Sequence, residues 1–126
     1  QTDALHTDTL YGQVWAYRLG FGPLVPEPYL ASHLAAEAEL SGSPYGLLVM
    51  SNYSGDGERD LLRDNYVWEA GTIDWTILQL YLGGMEVREA VAPMVGVIRR
   101  YRDTNRDFWD WKDLSAGDGT QVSEAC

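Results

Sequence analysis

A segment rich in aromatic and acidic side chains, residues 107–113, combines the residue types that bind sugars. It contains two indoles, three carboxylates and one amine. Indole faces can cover the apolar C–H patches of a pyranose, and carboxylates accept strong hydrogen bonds from its hydroxyls. We therefore take Trp109, Trp111 and Asp113 as candidate carbohydrate-binding residues. The alternative, that these aromatic side chains close the core under a loop, stays open.

A second cluster mixes polar groups with aromatic ones near the start of the chain. It comprises Asp8, Tyr11, Gly12, Gln13 and Trp15. Gly12 would allow another helix to approach closely, and a buried Asp8 or Gln13 would need hydrogen-bond partners. A structural junction is favoured over ligand hydroxyls for these two side chains. Asp8 is nevertheless kept as a fourth candidate substrate-binding residue.

Glycoside hydrolysis would need two carboxyls flanking the scissile bond, about 5 Å apart for retention of configuration or further apart for inversion. The conceivable members of such a pair are Asp8, Glu69, Asp74, Asp110 and Asp113. The sequence does not give their separations, so no catalytic residue is assigned. No cofactor is expected, because this chemistry needs only carboxyls and water.

The sequence lacks the spacing patterns of metal and phosphate sites. His6 and His33 lie far apart with no companion at metal-ligand spacing, so surface or capping roles are expected for both. No zinc motif, calcium loop, glycine-rich phosphate loop or GxSxG nucleophile motif is present. We therefore expect no metal.

Apolar periodicity predicts four helices that would position these residues. They are residues 3–19, a helix that begins at residues 26–28 and ends at residues 41–44, residues 65–82 and residues 86–104. Residues 45–50 are predicted to be a strand or a buried extended segment, and residues 51–64 a long surface loop. Proline at the start of the second helix and glycine at the end of the third support these limits.

The predicted helices differ in how they should be buried. In the second, Leu30, Leu34 and Ala38 form the expected buried stripe. The third has apolar side chains in nearly all directions, so we expect it to be enclosed on most sides. The fourth has one apolar stripe, formed by Val87, Val91, Met94, Ile98 and Tyr101, while Arg100 and other charged residues face water. Pro93 should kink this helix or mark a late start.

Composition and charge restrict the class of protein. The 126 residues suit one domain, with 45% hydrophobic and 22% charged residues. A formal net charge of −10 disfavours nucleic acid and anionic lipid as partners. The single cysteine, Cys126, excludes an intrachain disulfide, and no apolar run is long enough for a transmembrane helix. The first residues lack the pattern of a signal peptide, so a cytoplasmic location is the favoured expectation.

The cluster of polar and aromatic residues near the start of the chain is similar to a motif of a known enzyme family. Residues 8–15 resemble the D-Q-x-x-G-Q-W helix start of glycoside hydrolase family 116, the non-lysosomal glucosylceramidase and β-glucosidase group. Asp8, Gly12 and Gln13 match this motif, whereas Val14 stands where the family has tryptophan. The resemblance is to the C-terminal part of the family's catalytic region.

Three further stretches extend the resemblance over most of the chain. Residues 24–26 are similar to the family's linker into its following helix, and residues 65–83 to its S-D-E-V-W helix that ends in glycine. Residues 111–114 fall on the family's T-P-E-A segment, whose glutamate binds glucose hydroxyls. The resemblance therefore assigns this role to Asp113, with aspartate in place of glutamate.

The resemblance implies a mainly α fold in which helical hairpins form part of an (α/α)6 toroid, with short extended segments in loops. Residues 1–126 would be one part of a retaining β-glucosidase domain, inactive alone, with a carbohydrate or glycoside as substrate and the rest of the domain as partner. The nucleophilic glutamate and acid/base aspartate would lie before Gln1, and an arginine partner of the sugar-binding acid after Cys126. Two alternatives stay open: a freestanding helical carbohydrate-binding or interaction domain, and a fragment of a glucoamylase- or trehalase-like (α/α)6 glycosidase.

Overall fold

The computed structural model of the chain describes residues 5–7, 9–50, 66–105 and 114–116, and this part is mainly helical. Its elements in chain order are α1 (Tyr11–Arg18), α2 (Glu27–Ser41), β1 (Gly42–Ser43), β2 (Gly46–Leu47), β3 (Tyr66–Trp68), α3 (Glu69–Leu82), α4 (Val87–Ala90), α5 (Ala92–Arg100), a π-helical turn (Tyr101–Asn105) and β4 (Leu114–Ala116). The loop predicted at residues 51–64 lies outside the described residues. Within the described ranges, no helix is both long and apolar enough to cross a membrane.

Two helix limits follow directly from local sequence signals and confirm the prediction. Proline occupies the first turn of α2, where a missing backbone N–H costs nothing, and α2 ends at Ser41 as expected. Helix α3 ends at Gly83, which adopts the left-handed conformation at φ +64° and donates its N–H to the Gln79 carbonyl at 3.1 Å. Glycine accepts this conformation without the steric cost of a Cβ atom.

Two predicted helix starts are wrong because extended pairing replaces the first turns. Helix α1 begins at Tyr11 rather than residue 3: before it, His6 forms an antiparallel bridge with Met50 and the Thr7 N–H donates to the Val49 carbonyl at 3.0 Å. Likewise β3 takes residues 66–68 and pairs antiparallel with β4, Trp68 opposite Leu114. Helical periodicity does not reveal partners so distant in sequence.

The extended segment predicted at residues 45–50 is confirmed. Strand β2 pairs antiparallel with β1, and Leu48 forms an isolated bridge with Val67 of β3. Because Met50 bridges His6 in the same way, this short segment joins the start of the chain to β3. It therefore acts as the central extended piece of the described part.

The predicted fourth helix is interrupted two residues before its proline, as expected from the missing backbone donor. Helix α4 ends at Ala90, Val91 adopts φ −90° and ψ −6°, and α5 begins at Ala92. The predicted buried stripe is wrong in part: Val87 and Ile98 are exposed, and Ala90 and Val97, which lie outside the stripe, are fully buried. Tyr101 is fully buried, as predicted. The break at Val91 changes the angular positions of side chains in α4 relative to those in α5, so a stripe drawn on one continuous helix does not apply.

Helix α3 lies at the centre of the described part and packs against α1, α2, α4, α5 and β2. One core cluster joins it to α1, α2 and β2, and contains Val14, Leu30, Leu34, Leu47, Trp75 and Leu78. The Trp75 indole N–H donates to the Leu34 carbonyl at 2.8 Å and ties α3 to α2. A second cluster, formed by Val67, Val97 and Tyr101, lies between β3 and the end of α5.

Helix α3 is enclosed on most sides, as predicted, but one of its sides is exposed. Leu80 and Tyr81 are 45% and 49% exposed, and Ile73 is also exposed. An open cavity of about 290 Å³ is lined by Ile77, Leu80 and Tyr81. The Tyr81 ring stacks on Tyr17 of α1, with ring centres 4.8 Å apart.

Candidate functional site

The residues predicted to bind a sugar fall outside the described part of the chain. They are Asp8, Trp109, Trp111 and Asp113, and Asp110 of the possible catalytic carboxylates also falls there. Leu114, which directly follows Asp113 in the sequence, begins β4 and pairs with Trp68 at the end of β3. The described residue that follows the predicted segment therefore lies beside the start of α3.

A buried ion cluster stands at this start of α3, formed by Glu69, Arg100 and Tyr101. Arg100 Nη2 donates to Glu69 Oε1 at 2.6 Å, and the Tyr101 hydroxyl donates to the same oxygen at 3.0 Å. The guanidinium carbon of Arg100 lies 4.3 Å from the centre of the Tyr101 ring. The three side chains tie the first turn of α3 to the junction of α5 with the π-helical turn.

The burial of Arg100 corrects the prediction that this residue faces water, since it is only 1% exposed. A buried charge requires a close partner of opposite sign, and Glu69 supplies it. The Nε and Nη1 atoms of Arg100 find no hydrogen-bond partner among the described residues. Glu69 was one of the possible catalytic carboxyls, but its Oε1 already accepts two hydrogen bonds, an arrangement suited to holding elements together.

A second buried polar group, Glu37 on α2, was missed by the sequence prediction. It is 1% exposed, whereas Ala38, predicted to be buried, is exposed. Burial first, and the charge of Asp74 second, raise the pKa of Glu37 to about 8. Its spacing of three residues after Leu34 and seven after Leu30 on a helix was a signal that could have placed it on the buried face.

Glu37 has His33, one turn earlier on α2, as its partner. His33 Nε2 lies 3.2 Å from Glu37 Oε1 and 3.0 Å from Thr9 Oγ1. Burial lowers the pKa of His33, so near neutral pH both side chains are uncharged and share a neutral hydrogen bond. Glu37 is thus held as a protonated carboxylic acid at this contact, and in that state it can donate a proton.

Gln13 serves as a structural junction, which confirms the favoured interpretation of its cluster. Its side-chain N–H donates to the Gly22 carbonyl at 3.3 Å, and its Oε1 accepts the Leu24 N–H at 2.7 Å. These bonds fix the turn between α1 and α2. The expected close approach at Gly12 is wrong for the described residues, because a Cβ atom there would meet nothing within 4 Å.

The two histidines have partners of different kinds. His6 packs edge-on against Trp68 with ring centres 6.5 Å apart, while His33 contacts Thr9 and Glu37 as described above. In the part of the chain that the structure describes, no three His, Cys, Asp or Glu side chains gather as they would around a metal ion.

The described residues define a mainly helical unit with two buried polar clusters, one at the start of α3 and one on α2. Comparison with known proteins adds no family: no protein-family model matches the chain, and no curated protein is significantly similar to it. The resemblance to glycoside hydrolase family 116 therefore stays a prediction.

Proposed function

We propose that this chain is part of the catalytic domain of a glycoside hydrolase, of the retaining β-glucosidase type that its sequence motifs resemble. In this proposal Asp113 binds sugar hydroxyls, Trp109 and Trp111 shape the subsite, and Asp8 contributes a further polar contact. The nucleophile and the acid/base carboxyl come from the rest of the domain.

The observation that carries the proposal is the uncovered apolar side of α3. This helix buries Trp75 and Leu78 on one side, yet Leu80 and Tyr81 remain about half exposed around an open cavity. A helix with apolar side chains on both sides fits between two neighbours, which is the position of an inner helix in a double-layered helical barrel. The rest of such a barrel would cover Leu80 and Tyr81.

The strand that follows the predicted sugar-binding segment in the sequence also favours the proposal. Strand β4, which starts one residue after Asp113, is held by three residue pairs with β3. Glu69 follows β3 directly and belongs to the buried ion cluster. Binding residues need rigid neighbours, and two hydrogen-bonded strands backed by a buried ion pair supply such a base.

The decisive experiment uses the protein that contains this chain together with its flanking coding sequence, assayed on an aryl β-glucoside. Asp113→Ala should lower kcat/KM about 10- to 150-fold, since a hydrogen bond to a charged acceptor is worth about 1.5–3 kcal/mol. The matched control is Asp103→Asn, an exposed carboxylate paired with Arg102 at 2.6 Å, which should stay within about twofold of wild type. A wild type without activity on any β-glycoside, or equal rates for both variants, would refute the proposal.

A freestanding helical carbohydrate-binding or interaction domain is the second candidate. It is favoured by the two core clusters, whose members are almost fully buried within this chain alone. A chain that unfolds cooperatively as a monomer and binds glucosides in calorimetry would support this candidate. A chain that binds a hydrophobic dye and lacks fixed tertiary packing would support a part of a larger barrel.

A further inference from the structure

We propose that the buried contact between Glu37 and His33, on which the charge of Asp74 acts from α3, is pH-sensitive and loosens the packing of α2 against α3 as the solution becomes alkaline. This property is independent of the proposed glycosidase function, because it concerns how two helices of this chain are held together. The cluster lies on the described part of the chain.

The geometry places a buried carboxyl next to a side chain that reaches solvent. The side chain of Glu37 is 2% exposed and that of His33 is 28% exposed, with 3.2 Å between Oε1 and Nε2. The same Nε2 atom lies 3.0 Å from the hydroxyl of Thr9, which is on the surface. His33 thus offers a short route by which Glu37 can lose or regain a proton without the helices separating.

The charged surroundings of Glu37 oppose its ionisation. On its own helix the facing titratable group is His33, and from α3 it is Asp74, whose negative charge acts on Glu37. The β1 and β2 strands, which pack on α2, contain no ionisable side chain. Burial and the charge of Asp74 together raise the pKa of Glu37 to about 8, while burial lowers that of His33.

The direction in which stability changes with pH follows from the proton that Glu37 keeps in the folded chain and loses in the unfolded chain. In the unfolded chain Glu37 loses its proton near pH 4.5, whereas in the folded chain it keeps the proton up to about pH 8. Between these values the folded state binds more protons than the unfolded state, so stability falls as pH rises. Above about pH 8, ionised Glu37 and Asp74 repel each other across the boundary between α2 and α3.

The loosening of α2 against α3 should be detectable at the hydrogen bond that joins these two helices. The Trp75 indole N–H donates to the Leu34 carbonyl, three residues before Glu37. Asp74 precedes Trp75 directly, so repulsion between the two carboxylates acts beside this bond. Exchange of the Trp75 indole proton therefore reports on the loosening.

The test compares wild-type chain with Glu37→Gln and with the control Glu39→Gln, whose carboxylate is exposed on the same helix. Relative to Glu37→Gln, the unfolding equilibrium constant of wild type and of Glu39→Gln should rise by up to about tenfold per pH unit between pH 6 and 8, the slope expected for one proton. Exchange of the Trp75 indole proton, compared at each pH with that in Glu37→Gln to remove the base-catalysed rise common to all variants, should accelerate further as the pH passes about 8 where Glu37 is retained. Parallel pH profiles for all three proteins would overturn the proposal.

A direct titration removes any dependence on the folding of the glutamine variant. Carbon-13 NMR of the Glu37 carboxyl in wild type should give a midpoint near pH 8, and Asp74→Asn should lower that midpoint. A midpoint below about pH 5, the range of an ordinary glutamate, would contradict the proposal.

Discussion

Replacing Arg100 with methionine should destabilise the protein strongly, because it breaks a buried ion pair by removing one of its members. Arg100 is 1% exposed, its Nη2 lies 2.6 Å from Glu69 Oε1, and the Tyr101 hydroxyl lies 3.0 Å from the same oxygen. Methionine keeps the volume and flexibility of the stem but removes the charge and all donors. The hydrogen bond from Tyr101 to Glu69 would remain.

The magnitude follows from the cost of a buried charge that has lost its partner, about 3–5 kcal/mol. We expect the lower end, about 3 kcal/mol, since Arg100 Nε and Nη1 find no acceptor among the described residues and methionine removes that cost as well. Against a typical domain stability of 5–15 kcal/mol, this loss is large enough to measure and small enough to leave folded protein.

The assay is urea unfolding followed by circular dichroism and tryptophan fluorescence, with free energies from linear extrapolation. The matched control is Arg99→Met, the same substitution at the exposed neighbouring position, which should change stability by less than about 0.5 kcal/mol. The double variant Glu69→Gln with Arg100→Met should be more stable than the sum of the single losses by about 1 kcal/mol or more.

Equal stability of Arg100→Met and Arg99→Met would refute the reasoning, because it would show that Arg100 is not a buried partner of Glu69. Exact additivity in the double variant would refute the pairing itself. Tyr101→Phe adds an independent measure: losing one hydrogen bond to a carboxylate should cost about 1.5–3 kcal/mol.

Three further substitutions test the packing at single positions. Gly12→Ala should stabilise the protein by about 0.5–1 kcal/mol in thermal unfolding, because Gly12 lies on an open helix surface and alanine restricts the unfolded chain. Gly96→Ala, the same change in α5, should instead lower stability by about 1–3 kcal/mol, since its Cβ would overlap the Pro44 carbonyl oxygen; a neutral result would contradict that contact. Thr72→Val should cost about 1–3 kcal/mol in urea unfolding, because the Thr72 hydroxyl accepts the Leu47 N–H at 2.9 Å and valine leaves that buried donor unpaired; stability equal to wild type would argue against this bond.

Helix limits set by residues inside the helix itself were predicted well. The prolines at the start of α2, the left-handed Gly83 after α3 and the break before Pro93 all follow from backbone geometry that each residue imposes locally. The structural role of Gln13 was also anticipated, since a buried amide among aromatic residues needs nearby partners. Such signals act over a few residues and need no knowledge of the fold.

The candidate site was less predictable, because its polar contacts join elements that are distant in sequence. Glu69 was singled out as a carboxylate, but its partner Arg100 stands 31 positions later and was assigned to the solvent face. Glu37 was passed over because one acidic residue beside alanines does not alter the apolar pattern of a helix. The predicted residues Asp8, Trp109, Trp111 and Asp113 lie outside the described part, so their role stays a prediction.

The sequence by itself determined the mainly helical class and the positions where helices must stop, because these depend on dihedral preferences and on a local hydrophobic period. Only the tertiary structure decided which strands pair, which side of α3 is left uncovered, and that Glu37 and Arg100 are buried. Those outcomes depend on which surfaces meet in space. A charged side chain is buried when a distant partner compensates its loss of water, and that partner is chosen by the fold.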